Sequence, residues 1–155
     1  MPSKAILFYT REEFIYGQLN KALRTTKIHH VLPFRFIFQD ICNQMNELNA
    51  QYDDNQTLVV YRGQVANPYE IADLFLAYCM KSSIMTTMFF STSKNEKASR
   101  LFIPNQIGEP FSTEPPAILF KITARKQDIS PYFPFADISK VSSMHDEEEV
   151  LEVRY

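Results

Sequence analysis

Three short stretches of this 155-residue chain end strand-like runs in residues that a core strand does not need. In "VVYRG", a two-residue period puts Arg62 on the same face as Leu58 and Val60. A lone arginine at a strand end usually snorkels to water. Held on a sheet face, it is instead a planar donor for phosphate or ribose oxygens. In "FFSTS", Ser91 and Ser93 lie on the side of Phe89. Ser93 also opens "SKNE", with Glu96 at the third position, so its expected duty is to cap a helix running through Phe102. Ser91 has no such duty and could position another side chain in a cleft. In "SSMHDEEEVLEVRY", four acids from Asp146 to Glu149 run into Val150 and Leu151. As a strand, this run places Glu147 and Glu149 on the face of Leu151 and Val153, and Asp146 and Glu148 on the other. One carboxylate pair then faces a cleft and the other faces solvent, although an acidic run taken alone is usually solvated.

These residues need elements to hold them. "TREEF" offers a capping box, Thr10 with Glu13, before a helical stripe of Ile15, Leu19, Ala22 and Leu23. A second helix is expected from near Pro33, with Phe34, Ile37, Phe38, Ile41, Met45 and Leu48 at helical spacing. "TLVVYRG" reads as a strand ending at Gly63. "PYEIADLFLAYCM" reads as a helix with Ile71, Leu74, Phe75 and Tyr78 on one face. "MFFSTS" is a short strand, and "PNQIGEPFSTEPP" is a long proline-broken loop. "AILFKIT" alternates with Ile118, Phe120 and Ile122 on one side, "PYFPFADISK" is irregular around a short strand, and "EEVLEVR" is the last strand. Helices come first and mostly unlinked strands follow, which is an α+β order rather than repeated β-α-β units.

Composition sets the bounds. The length suits one domain, and 45% apolar with 14% aromatic residues argues against disorder. Three glycines leave no Gly-rich phosphate loop, and a net charge of −2 without a basic run leaves no electrostatic footprint for nucleic acid. Cys42 and Cys79 fit no metal spacing and are expected as two buried free thiols. His29 and His30 are adjacent and expected to point apart, and His145 is a loop histidine, so no metal is expected. No signal peptide or membrane span reads in the chain. A soluble chain follows as the expectation, in the cytoplasm or secreted.

Arginine on a strand, Ser-Thr-Ser on a strand and Glu-x-Glu entering a strand, in that order, resemble the Arg-Ser-Glu class of mono-ADP-ribosyltransferases. "LNKALRT", "PFRFIFQDICNQMNEL", "VVYRGQ", "FFSTS", "FADISK" and "DEEEVLEV" are similar to its arginine-specific, ecto-enzyme-like branch, over most of residues 5–153. The resemblance implies two small, mostly antiparallel sheets around an NAD cleft, with N-terminal helices alongside. It implies that Arg62 contacts the phosphates or nicotinamide ribose of NAD, that Gly63 offers backbone hydrogen bonds to the carboxamide, and that Ser91 holds Glu149. Glu149 would be the catalytic carboxylate and Glu147 the acid that directs an arginine acceptor. Phe102 would stack on nicotinamide, or else lie in a buried stripe with Ala98 and Leu101. NAD is then the co-substrate, without a metal, and the partner is an arginine-bearing target protein, with the chain itself a monomer.

The chemistry suits these residue types. Nicotinamide leaves as a neutral base from a cationic C–N bond, so no general acid is needed, unlike ordinary glycoside cleavage. A fixed carboxylate stabilises the sugar as positive charge develops on it. A second carboxylate orients a guanidinium bidentately and helps remove its proton. An NAD glycohydrolase on the same fold and a catalytically inactive binding module are the alternatives. The chain ends six residues after Glu149, where the family usually continues with more sheet, so a shortened version or a piece of a longer protein is expected.

Overall fold

The computed structural model describes residues 4–11, 13–25, 27–51, 57–84, 86, 89–104, 116–125, 135–143 and 149–152. Helices lead. Helix α1 (Ala5–Arg11) and α2 (Glu13–Arg24) are followed by the short α3 (Ile28–Val31), a 3-10 turn at Leu32–Phe34, and α4 (Arg35–Asn49). The expected stripe on α2 is present: Leu19, Ala22 and Leu23 are buried, and Ile15 packs against the same core. On α4, Ile41 and Met45 are fully buried, and Phe34, Ile37, Phe38 and Leu48 pack around them.

Thr10 does not cap a helix. It lies inside α1, where its hydroxyl donates to the carbonyls of Ile6 and Leu7 at 2.9 and 3.3 Å. The capping-box spacing is there, but Ile6 and Tyr9 carry the helix one turn upstream by burying completely. Each such side chain contributes roughly 1.5–3 kcal/mol of burial, more than the ~1 kcal/mol of a cap. The Ile6 amide also donates to Gln44 Oε1 at 3.0 Å, which ties α1 to α4.

The five described strands form one antiparallel sheet of order β3-β1-β2-β5-β4. They are β1 (Thr57–Val65), β2 (Phe90–Ser93), β3 (Ala117–Arg125), β4 (Phe135–Asp137) and β5 (Glu149–Glu152). The α+β order and the antiparallel pairing are as expected, and the two small sheets are two halves of this one. Strands β1 and β3 pair continuously from Thr57–Arg125 to Val65–Ala117. Strand β2 pairs along its length with β5, from Phe90–Glu152 to Ser93–Glu149. Among the described residues, the strand pairing between the halves is at Tyr61–Ser93, and Leu58 and Val60 of the first half pack with Phe135 and Val150 of the second in a small buried cluster. The main core lies under the second half, where Phe89, Ala136, Ile138 and Leu151 pack against the N-terminal helices.

Helix α5 (Pro68–Cys79) starts with a capping box: Asn67 Oδ1 accepts from the Glu70 amide, and Glu70 Oε2 accepts from the Asn67 amide, both at 2.9 Å. Its expected apolar face is not a core face. Phe75 is 66% and Tyr78 80% exposed, while Leu74 lines an open cavity. Helical spacing reveals an apolar stripe but not what it faces. Helix α6 (Glu96–Arg100) is capped by Asn95, whose side chain accepts from the Lys97 amide at 3.0 Å, and not by Ser93. Ser93 Oγ accepts from the Asn95 amide at 2.9 Å, so it fixes the turn ahead of the cap. The helix ends at Arg100, before Phe102.

Cys42 is half-buried and Cys79 exposed, and neither is in a disulfide; Cys79 sits on the open helix α5, which is why it is not buried. The His29 and His30 rings do not point apart. Their centroids stand 4.2 Å apart, edge to face, because both sit in the single turn α3. Among the described residues no helix is long and apolar enough to cross a membrane.

Candidate functional site

Arg62 sits on β1 next to the seam between the two half-sheets. Its Nη1 donates to the backbone carbonyl of Ser91 at 2.7 Å, and its Nε donates to Gln64 Oε1 at 3.0 Å. The guanidinium also lies 4.5 Å from the centroid of the Phe90 ring. Burial holds its pKa below the ordinary arginine range, and the like charge of Arg24 acts in the same direction, against the phenols of Tyr16 and Tyr9. This is a partly desolvated, geometrically fixed cation, suited to receive an anion.

Across the seam, Ser91 Oγ donates to Glu149 Oε1 at 2.5 Å. Glu149 is buried, with 4% of its surface exposed, at the start of β5 and opposite Ser93 in the register. Its other oxygen, Oε2, accepts from Ser142 Oγ at 3.0 Å. Thr92, the intervening residue on β2, donates to the Val150 carbonyl at 2.9 Å and stitches the two strands together under the site. Arg62, Ser91 and Glu149 therefore form one hydrogen-bonded relay.

The relay opens on a cavity of about 380 Å³ that is also lined by Thr10, Tyr16, Gly63, Ser99 and Phe102. Gly63 has a packing reason to be glycine. A Cβ there would lie 2.0 Å from the carbonyl oxygen of Ser99 and 2.8 Å from the Ile103 side chain. Ser99 Oγ donates to the Tyr61 carbonyl at 2.9 Å, so α6 lies directly on β1. That docking leaves Phe102 at the cavity, 57% exposed, and Leu101 85% exposed. The buried stripe of Ala98, Leu101 and Phe102 is thus not formed; Ser99 on α6 and Ile103 beyond its end turn inward instead. Tyr16 stands 5.2 Å, centroid to centroid, from the buried Tyr9. Burial raises the Tyr9 pKa far above the phenol range, and Asn20 donates to its hydroxyl at 2.7 Å. A second, larger cavity of about 730 Å³ shares Arg62 with the first and includes Arg24, Glu70, Asp73, Phe90 and Phe120.

No family model matches the chain, and no curated protein matches its sequence. Among solved structures, it is similar to the crystal structure of the ADP-ribosyltransferase HopU1 of Pseudomonas syringae pv. Tomato DC3000, with a TM-score of 0.64 over 97% of this chain at 19% identity. The chain has an ADP-ribosyltransferase fold. It spans 64% of the length of that structure.

On this ADP-ribosyltransferase fold, Arg62, Gly63, Ser91, Phe102 and Glu149 all line one cavity. Glu147 lies outside the described residues, as do Asp146, Glu148 and His145. Ser142 on Glu149, and Thr10, Tyr16 and Ser99 in the cavity lining, are not among the site residues expected from the sequence. Ser142 hides in "KVSSMH", where nothing in its neighbours distinguishes it from Ser143. Thr10 has the spacing of a helix cap, which masks its place in the cavity wall. Tyr16 sits four residues before Asn20, the residue that fixes Tyr9, and this helical spacing was the available signal.

Proposed function

We propose that the cavity binds the nicotinamide end of NAD and that the protein transfers ADP-ribose to an arginine side chain of a target protein, releasing nicotinamide. The observation that carries this reading is the relay from Arg62 through Ser91 to Glu149 at a cavity rim, on a fold shared with an ADP-ribosyltransferase. Glu149 supplies a fixed negative charge where positive charge develops on the ribose, which is how a preorganised site accelerates loss of a neutral leaving group. Arg62 supplies a partly dehydrated cation between the two cavities, at the place where a diphosphate joins two nucleosides. Phe102 offers an exposed ring for stacking at the mouth. The second cavity, apolar at Phe90 and Phe120 and acidic at Glu70 and Asp73, suits the adenosine ring and its ribose hydroxyls.

Arginine as the acceptor rests on Glu147, two residues before Glu149 in the chain. A carboxylate beside the first binds a guanidinium in two places and takes its proton. The test is nicotinamide release from labelled NAD, with and without agmatine, and label transfer to agmatine. Transfer to agmatine supports the reading. Release without transfer removes the arginine acceptor, and no release removes the NAD reaction.

A further inference from the structure

Glu149 is held through both of its carboxylate oxygens, by Ser91 from β2 and by Ser142 from the turn after β4. Ser142 is fully buried and belongs to none of the stretches that resemble the transferases. Its turn is fixed at several points. Asp137 Oδ1 accepts from the Ser139 amide at 3.0 Å and from the Ser139 hydroxyl at 2.5 Å. The Ile138 carbonyl accepts from the amides of Val141 and Ser142 at 2.9 and 2.7 Å, and the Ile138 amide donates to the Glu149 carbonyl at 2.9 Å. The next amide, Ser143, donates at 3.0 Å to the hydroxyl of Thr10 on α1. Helix α1, the turn and the first residue of β5 are thus tied together within one residue of Ser142.

We propose that Ser142 is a positioning residue that, with Ser91, clamps the plane of the Glu149 carboxylate. The terminal torsion of a glutamate is broad and roughly two-fold. A single donor on Oε1 fixes one oxygen and leaves the plane able to turn about it. A second donor on Oε2, from the opposite side, removes that freedom. Both donors are neutral, so they orient the charge without cancelling it. This inference rests on the NAD reading for its catalytic consequence, but the clamp itself does not need turnover to be seen.

Two variants test it: Ser142→Ala, which deletes the donor, and Ser142→Cys, which keeps the size with a weaker donor and serves if the alanine chain does not fold. The first measurement is the crystal structure of the folded variant. The Glu149 carboxylate plane is expected to turn about its Ser91 contact, carrying Oε2 away from its place beside residue 142; an unmoved carboxylate overturns the proposal. The second is steady-state nicotinamide release. The kcat is expected to fall by roughly 10- to 100-fold, the scale of misplacing a reacting group by about an ångström, with the KM for NAD within about two-fold of the parent, since a positioning role acts on the reacting geometry and not on binding. An unchanged kcat also overturns it. A parent chain that releases no nicotinamide defeats the NAD reading, and the crystal structure then decides the clamp alone.

Discussion

The guanidinium of Arg62 holds the backbone of the residue whose side chain holds Glu149: Nη1 donates to the Ser91 carbonyl at 2.7 Å, and the Ser91 hydroxyl donates to Oε1 at 2.5 Å. Arg62 thus reaches the carboxylate through β2. A change at Arg62 moves two things at once, the cation and the strand that orients the acid.

Arg62→Lys separates these. Lysine keeps the positive charge but cannot bond Ser91 and Gln64 together from one planar fork. Nicotinamide release is expected to fall by about 10- to 100-fold, because the geometry of the acid is lost along with the donor. Turnover equal to the parent would show that charge alone suffices.

The two acids should part company. Glu149→Gln is expected to lose at least ~100-fold in NAD cleavage, with or without agmatine, the scale of removing one preorganised electrostatic contact. Glu147→Gln is expected to keep NAD cleavage and lose transfer to agmatine, because water needs no guanidinium clamp. If Glu147→Gln abolishes cleavage as well, its role is not acceptor recognition.

Gly63→Ala should destabilise the fold. Its Cβ would meet the Ser99 carbonyl at 2.0 Å, so α6 must move off β1. Overpacking of this kind costs about 1–3 kcal/mol, or a fall in Tm of roughly 3–10 °C for a chain of this size. Thermal melting followed by circular dichroism measures it. A melting temperature within a degree of the parent would mean that α6 relaxes without cost.

The pH dependence has an identifiable source in Asp137. Burial pushes its pKa up, but hydrogen bonds from Lys94 and Ser139 outweigh that, and the group sits below the ordinary aspartate value. A carboxyl depressed in the folded state adds stability above its unfolded pKa of ~4, and that stability is lost as pH falls through the folded value. Below about pH 4 the parent should therefore lose stability more steeply than Asp137→Asn, whose amide has no charge to lose. Urea midpoints between pH 2.5 and 6 test this, and parallel curves would assign the acid loss to other groups.

Much of the site was legible because it lies on strands. A two-residue period aligned Arg62 with Leu58 and Val60, and Glu149 with Leu151, and both side chains do line the cavity or the core. Helix starts were less legible. Thr10 and Ser93 both had cap spacing, yet in each case another residue decided the boundary: the buried Ile6 and Tyr9 in one, Asn95 in the other. Helix α5 shows the limit of periodicity, since its apolar side opens on a cavity and on solvent. Ser142 was illegible for a different reason. Its importance comes from a tertiary partner seven residues on, across a turn, and no local spacing encodes that contact.

Among the described residues, the strand pairing between the sheet's two halves is at Tyr61–Ser93, while β1 and β3 pair along their whole length. Mechanically this is a ribbon riveted to a block at one point and bedded on an apolar pad. Twisting one half against the other loads that rivet and shears the apolar pad of Leu58, Val60, Phe135 and Val150, while both ladders stay paired. Arg62 reaches across beside that rivet to Ser91, so it works as a brace on the joint. The joint is held by rivet, pad and brace together, and a bound anion that draws the guanidinium toward itself would pull on the brace directly.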